Sequence, residues 1–535
     1  MDSYIALFAL LTVIAVYKLL GGRRGPSIKN IPGPPSSSFL YGNLIQLLLP
    51  DRYGKYEFEW QKQFGPVYRI KGCFSEDRLV ISDPVTLKYV LNDPTFERSV
   101  QQQEIVNMLI GKKTVFYVKG HDHRRIRNIM NAAFAPSSIR ALPPLFNVIG
   151  QKLIDRWESM IIEAQESGKK IIDVYHSIHD ATLDGVGAGA IGYEFGAMDN
   201  QASELGQSHQ NIITMSGVMT KMDILFEAIV PLIPQRVLQA LFSLPTPAFQ
   251  ALSHNREISA RVSKELVERQ QENVALGIEP GKDLLHVMVR SNASAKASHR
   301  LSNEEMQQQI PSLMIAGQDT TGNTLSMALY ELSKDPGLQE TVRKELIEAT
   351  AANNGELNFS TVESLPFFNA FLKEVLRLHP GLPMSDRVAT CDSVLPLSKP
   401  IISTNGERLQ ELHISKGQHI IIASASFNRL QSVWGQDADK LKPSRWFEND
   451  PSKEASFGPY AGLGTFLGGP RVCIGAHRRW KFAITELQTL LPALIKRFKF
   501  KLADNVDITP RLAVTLAPVA GERFCLPLIV ETVEY

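Results

Sequence analysis

The stretch FLGGPRVCIG, residues 466–475, sets one cysteine among three glycines, a proline and an arginine near the C-terminal end of the chain. Gly468, Gly469 and Gly475 permit tight or left-handed backbone, so the segment can close into a compact loop that brings N–H groups close to the Cys473 sulfur. A helix is expected from about Ala476 to Phe498. Cys473 then stands at a helix start, where the dipole and unpaired N–H groups favour the thiolate. A thiolate held there is a nucleophile or a metal ligand. His477 is the nearest base for a nucleophile, although i, i+4 spacing commonly marks no more than neighbours on a helix surface. Tetrahedral zinc needs Cys or His partners close by, and none is present. An axial ligand to a preformed macrocycle needs only one protein atom.

The rest of the chain narrows the class. Of 535 residues only four are cysteine (Cys73, Cys391, Cys473, Cys525), far apart and without a CxxC pair, so neither a disulfide scaffold nor a zinc cage is indicated. The 57 basic and 55 acidic side chains leave a net charge of +2, which gives no general reason to expect nucleic acid or an acidic partner. Residues 4–17, YIALFALLTVIAVY, carry no charge, and the apolar run continues through Leu20. That predicts a membrane anchor over residues 1–20. Lys18, Arg23, Arg24 and Lys29 follow it, a bias that places the bulk of the chain in the cytosol and argues against a cleaved signal peptide. Residues 21–40 form a basic, Pro-rich linker whose IPGPP segment bars helix continuation.

Residues 41–535 show no repeat and no long polar linker, and read as one domain. Helical periodicity dominates, with strand-like runs at PVYRIKG, RLVISD, VLPLSKPIIS and HIIIAS, predicting a mainly α fold with a small β portion. A long helix begins at Ser302, which makes a capping box with Glu305, and ends at Lys334 before Asp335-Pro336. A second runs over FFNAFLKEVLRLH. Within the long helix AGQDTT, Ala316–Thr321, interrupts an apolar stretch with groups that compete for backbone hydrogen bonds. EVLR places Glu374 and Arg377 at i, i+3 on one face, a pair that is usually exposed. The HSIH run at 176–179 lacks a third metal ligand and reads as helix surface.

Phe466, Gly469, Arg471, Cys473 and Gly475 match every fixed position of F-x-x-G-x-R-x-C-x-G, the haem-ligand signature of the cytochrome P450 superfamily of haem-thiolate monooxygenases, and nearly the whole chain resembles that family. The resemblance implies the cytochrome P450 fold, with haem b between the long oxygen-binding helix and the helix after the cysteine loop. It makes Cys473 the axial ligand of the iron. Small Ala316 and Gly317 would let the long helix pass close over the haem, while Thr320 faces bound dioxygen and Asp319 relays protons. Glu374 and Arg377 would join Arg445, in LKPSRWF, in a buried network supporting the cysteine loop. The sequence has Leu441 and Ser444 where the family more often has phenylalanine and glutamate. His123, Arg127 and Arg387, with Arg471, would be cationic partners of the haem propionates.

The same resemblance places the substrate among residues 100–111 and 213–233, Met314, Ile315, Leu382, Met384, Ser385, Thr515 and Leu516. These are mostly apolar, which favours a lipophilic substrate, terpenoid or sterol-like, reached in part through membrane lipid. No dinucleotide or flavin fingerprint is present, so electrons are expected from an NADPH-dependent reductase, with cytochrome b5 as a possible second donor. Arg124, Arg125, Arg478, Arg479 and Lys481 form the expected docking patch. The endoplasmic reticulum membrane is the expected location. Two rivals keep the cysteine signature, a haem-thiolate isomerase or dehydratase and a non-catalytic haem protein. Asp319 and Thr320 argue against both.

Overall fold

A computed structural model describes residues 28–168, 170–199, 201–216, 219–234, 236–238, 246–278, 283–448, 457–476 and 482–533. The expected anchor and the first part of the linker lie outside these residues. Among the described residues no helix is long and apolar enough to cross a membrane.

Twelve principal helices carry the architecture: α1 (Val100–Ile110), α2 (Gly120–Ala133), α3 (Pro143–Glu166), α4 (Tyr175–Val186), α5 (Glu204–Ser216), α6 (Lys221–Ile229), α7 (Pro247–Ala275), α8 (Leu284–Ser294), α9 (Asn303–Lys334), α10 (Pro336–Ala352), α11 (Pro366–Leu378) and α12 (Phe482–Arg497). The long helix starts where its sequence says. Ser302 accepts from Glu305 N–H and Glu305 reaches back to Ser302 N–H, which satisfies two otherwise orphaned donors. Asp335 then ends α9 and caps α10, with Pro336 in the first turn.

Helices α3, α4, α9 and α12 pack side by side as the centre of the domain. Trp157 of α3 is fully buried against Phe498 and Phe500, just beyond α12. Gly317 and Gly322 are required where α4 crosses α9: an added Cβ would stand 2.4 Å from a Val186 methyl at Gly317 and 3.1 Å from His179 at Gly322. The absence of a side chain at Gly317 therefore serves the contact with α4.

A five-stranded sheet lies to one side, in the order Val67–Lys71, Asp77–Ile81, His419–Ile422, Ser385–Ala389, Phe96–Glu97. Ile420 is its centre, paired parallel with Leu79 and antiparallel with Arg387. The strands at 393–402 and 408–414 form a separate hairpin.

The β portion is small beside the helices, and residues 498–532 supply five of the six strands of two three-stranded sheets, with Ile171–Asp173 the sixth. The helix expected to reach Phe498 ends at Arg497, and FKFKL continues as a strand paired with Pro527–Thr532. This strand is at the edge of its sheet, and α10 covers it. Gln339 donates from Nε2 to Phe500 O and accepts from Phe500 N–H, both at 2.9 Å, while Arg343 donates to Phe498 O at 2.6 Å.

Candidate active site

The segment 466–476 is a chain of 3-10 turns, Gly464–Phe466, Gly469–Arg471 and Ile474–Ala476. Regular helix is described from Phe482 onward, and residues 477–481, within the expected helix, lie outside the described residues. Backbone geometry shapes the loop. Gly469 has φ +68° and lies so close to the end of a neighbouring helix that a Cβ would stand 2.2 Å from Leu91 O. Cys473 N–H donates to Phe466 O at 2.9 Å, closing the loop on its own first residue. A Cβ on Gly475 would touch Cys473 Sγ at 3.9 Å. From outside, Arg127 donates to Val472 O at 2.6 Å, and Arg471 donates to Val118 O at 2.6 Å and Val115 O at 3.2 Å.

Behind the loop, Glu374 and Arg377 are both fully buried and bonded side by side at 2.7 and 2.8 Å. The pair is satisfied on every edge, as buried charges must be. Arg377 also donates to the carbonyls of Asn428, Ala438 and Lys440. Glu374 accepts from Lys442 N–H at 2.8 Å and Trp446 Nε1 at 3.1 Å, and Arg445 Nε lies 3.6 Å away. The link to the loop runs through Asn428, which donates to Arg377 O and Thr465 Oγ1 and accepts from Gly464 N–H. Thr465 donates onward to Leu376 O.

In front of the loop, cations gather. Arg471 stands with His123 and Arg127 of α2, Arg387 of the five-stranded sheet and Arg98, which precedes α1. Among the described residues none of these four guanidiniums forms an ion pair, and burial together with mutual repulsion presses them toward neutrality. Arg98 falls to about 9, first through burial and then through Arg471 and Arg387. Burial brings Arg387 to about 10 and lowers Arg127 and Arg471 as well. His123, 5 % exposed, drops to about 3 through burial and then the charges of Arg471, Arg127 and Arg98. These neighbours disfavour the imidazolium, and an anion among them would favour it. Such a cluster calls for anions, and two carboxylates on one flat ligand suit it. With a thiol on the adjacent loop, the donor set fits haem.

The polar run of α9 divides between two directions. Ala316, Asp319 and Thr320 are half-buried. Thr320 Oγ1 donates to Ala316 O at 2.7 Å, and Thr324 repeats the pattern to Thr320 O. Gln318, Thr321 and Asn323 are buried against neighbouring helices. His209 of α5 lies 2.7 Å from Gln318 Oε1, and Thr182 of α4 donates to Gln318 O. Asp319 Oδ1 lies 3.4 Å from His179 Nδ1. HSIH is therefore not a surface run throughout. His176 is exposed, but His179 shares a helix face with Ile178, Thr182 and Val186 and is buried with them.

The expected pocket residues do not form one group. Met384 and Leu516 meet in a small cluster with Tyr53, Ala425 and Leu512, and Leu516 N–H donates to Gly381 O. Met314 is buried in the main core, Ile315 is half-buried and Leu382 is 37 % exposed. Ser385 accepts weakly from Arg387 at 3.4 Å, and Thr515 accepts from Asn323 at 2.7 Å. Polar groups also stand near Met384. Glu227 of α6 rises to about 7 through burial and the nearby Asp386 charge.

Of the expected docking patch, Arg124 is exposed. Arg125 is not available, because it pairs with Glu305 and donates to Arg300 O at 2.7 Å, bracing the start of α9. Residues 478, 479 and 481 lie outside the described residues. Arg98 and Asn428 carry no sequence signal of their own. His179 does, in the apolar spacing of its helix.

The family profile described as Cytochrome P450 matches residues 32–520. The chain belongs to the cytochrome P450 family. Cytochrome P450 monooxygenase 91 of Postia placenta is 32 % identical over 520 residues, covering 92 % of each chain. Cytochrome P450 monooxygenase 205 of the same fungus is 30 % identical over 489 residues, 89 % of this chain and 87 % of its own. Cytochrome P450 monooxygenase claO of Ampulloclitocybe clavipes is 28 % identical over 505 residues, 92 % and 90 % respectively. This cytochrome P450 is thus a monooxygenase of the fungal type in its similarities, and its family implies a haem-thiolate cofactor and, in general, a reductase partner.

Proposed function

We propose that this cytochrome P450 inserts one oxygen atom from dioxygen into a lipophilic small molecule, with NADPH electrons delivered by a partner reductase. The observation that carries the site assignment is the juxtaposition of the Cys473 loop with four guanidiniums that form no ion pair among the described residues. Bound there, haem b supplies an iron centre that binds and activates dioxygen. The Cys473 sulfur would hold its iron, with Phe466, Gly469 and Gly475 shaping the loop that presents the sulfur. Arg98, Arg127, Arg387 and Arg471 would hold the propionates, with His123 as a further hydrogen-bonding partner.

Thr320 would hold and orient a proton donor in the site. Its hydroxyl donates to Ala316 O, which leaves its lone pairs to accept from that donor. Asp319 would pass protons to that position. Glu374, Arg377 and Arg445 act structurally, through Asn428 and Thr465. Met384 and Leu516 support an apolar substrate, to which the half-buried Ile315 and exposed Leu382 would contribute. An anchor over residues 1–20 would hold the enzyme on the endoplasmic reticulum with the domain in the cytosol, where Arg124 faces the reductase or cytochrome b5.

The test is the carbon monoxide difference spectrum of the reduced full-length protein, for wild type and Cys473→His. The strongly red-shifted band of a thiolate-ligated haem, lost in the variant, is the expected result. A histidine-like band in folded wild type overturns the assignment.

A further inference from the structure

His179 of α4 is 6 % exposed, with the Tyr175 ring tilted against it at 4.2 Å between centroids and Gly322 of α9 beside it. Its two ring nitrogens face different partners. Nε2 lies 3.2 Å from Asn323 Oδ1, and Nδ1 lies 3.4 Å from Asp319 Oδ1. Asn323 uses its amide nitrogen to donate to Thr515 Oγ1, so the oxygen it turns to His179 accepts, and Nε2 carries a hydrogen. The Asp319 oxygen facing Nδ1 is buried and has no other partner. A bare nitrogen lone pair against a bare carboxylate oxygen sets two acceptors face to face in a buried site. One proton therefore belongs between Nδ1 and Oδ1.

The neighbouring titratable groups leave that proton where it is. From α4, the Tyr175 phenol is held neutral by burial and then by the charges of Asp319 and Asp173. From α5, His209 is bonded to Gln318 and kept neutral by burial. From the C-terminal sheets, burial raises the Cys525 thiol. Among the described residues no lysine or arginine pairs with Asp319.

We propose that His179 is a positioning residue for oxygen activation, holding the proton that Asp319 passes toward Thr320 and anchoring the Asp319 carboxylate on the α4 side between turnovers. The proposal rests on the monooxygenase reading of Thr320 and Asp319. Asp319 releases a proton on the Thr320 side and takes one from Nδ1. The imidazole is left neutral, with its remaining hydrogen on Nε2 and donated to Asn323 Oδ1, and solvent returns a proton to the pair. No electrons move in this step.

The first test does not depend on turnover. In the full-length protein with nitrogen-15 histidine, the His179 ring signals are assigned by their loss in His179→Gln. A hydrogen on Nδ1 that exchanges slowly and disappears in Asp319→Asn is expected. A bare Nδ1 in wild type overturns the proposal. The second test is coupling, product formed per NADPH oxidised, with its solvent isotope effect. His179→Gln is expected to lose coupling several-fold and to show a larger isotope effect, with an unchanged ferrous carbon monoxide spectrum. If Thr320→Ala uncouples and His179→Gln does not, the positioning role falls and the oxygen-activation reading stands. If neither uncouples, both fall.

Discussion

Arg98→Met separates a propionate-binding cluster from an ordinary structural one, because the two predict opposite signs for the haem-free and haem-loaded protein. Burial and the charges of Arg471 and Arg387 bring the guanidinium from its ordinary 12.5 to about 9. At ~1.4 kcal/mol per pH unit, holding it charged at neutral pH costs on the order of 4–5 kcal/mol of folding free energy. Arg98 retains some access, which reduces the figure to ~2–3 kcal/mol. Methionine keeps the bulk and removes the charge. It also gives up the hydrogen bond to Phe116 O at 2.9 Å and the contact with the Phe116 ring at 5.6 Å, together worth ~1–2 kcal/mol. The haem-free variant is thus expected to be more stable than wild type by about 1 kcal/mol in urea unfolding at neutral pH. With haem bound the sign reverses, since a charge-assisted bond to a propionate is worth ~2 kcal/mol. Haem affinity falls by the sum, ~3 kcal/mol or about 100-fold, read as faster transfer of haem to an acceptor globin. Haem-free protein destabilised by more than about 1 kcal/mol, together with an unchanged transfer rate, would refute the reasoning.

Other substitutions probe the frame around the site. Glu374→Gln leaves Arg377 buried without a counter-charge and is expected to cost ~3–5 kcal/mol, with haem-loaded yield collapsing; a loss under about 1 kcal/mol in urea unfolding contradicts the network. Gly469→Ala combines a φ of +68° with a Cβ 2.2 Å from Leu91 O, so it should cost at least ~2 kcal/mol and lower haem occupancy, while Gly475→Ala, at 3.9 Å from Sγ, should be far milder. The Glu486 carboxyl of α12 is fully buried, and burial raises its pKa well above the ordinary value. The folded state then holds that proton more tightly than the unfolded state, so this group makes stability fall as pH rises above ~4.5. Glu486→Gln should flatten urea midpoints measured between pH 5 and pH 8, and parallel curves for the two proteins would count against it.

Features with local causes were legible in the sequence. The Ser302 box, the Asp335-Pro336 stop and the FLGGPRVCIG loop each depend on residues a few positions apart, and each appears where expected. The ExxR pair was legible through resemblance alone, since an isolated i, i+3 pair says nothing about burial. What escaped depends on distant partners. Arg98 matters because strands and loops from three parts of the chain bring other guanidiniums beside it. The strand Phe498–Leu502 alternates properly, but it follows an amphipathic helix with no breaker between, so the helical period runs on into it. His179 was misread because the polar letters of HSIH outweighed the apolar spacing around it.

The cover over Phe498–Leu502 has a consequence for how the protein behaves outside its native state. Gln339 meets Phe500 with one donor and one acceptor, in the manner of a neighbouring strand, and Arg343 occupies the next carbonyl. An exposed edge with this alternating aromatic sequence would template pairing between chains. Helix α10 therefore acts as a guard against aggregation, and loosening it would show first as loss of soluble protein, before any loss of turnover in the molecules that remain folded.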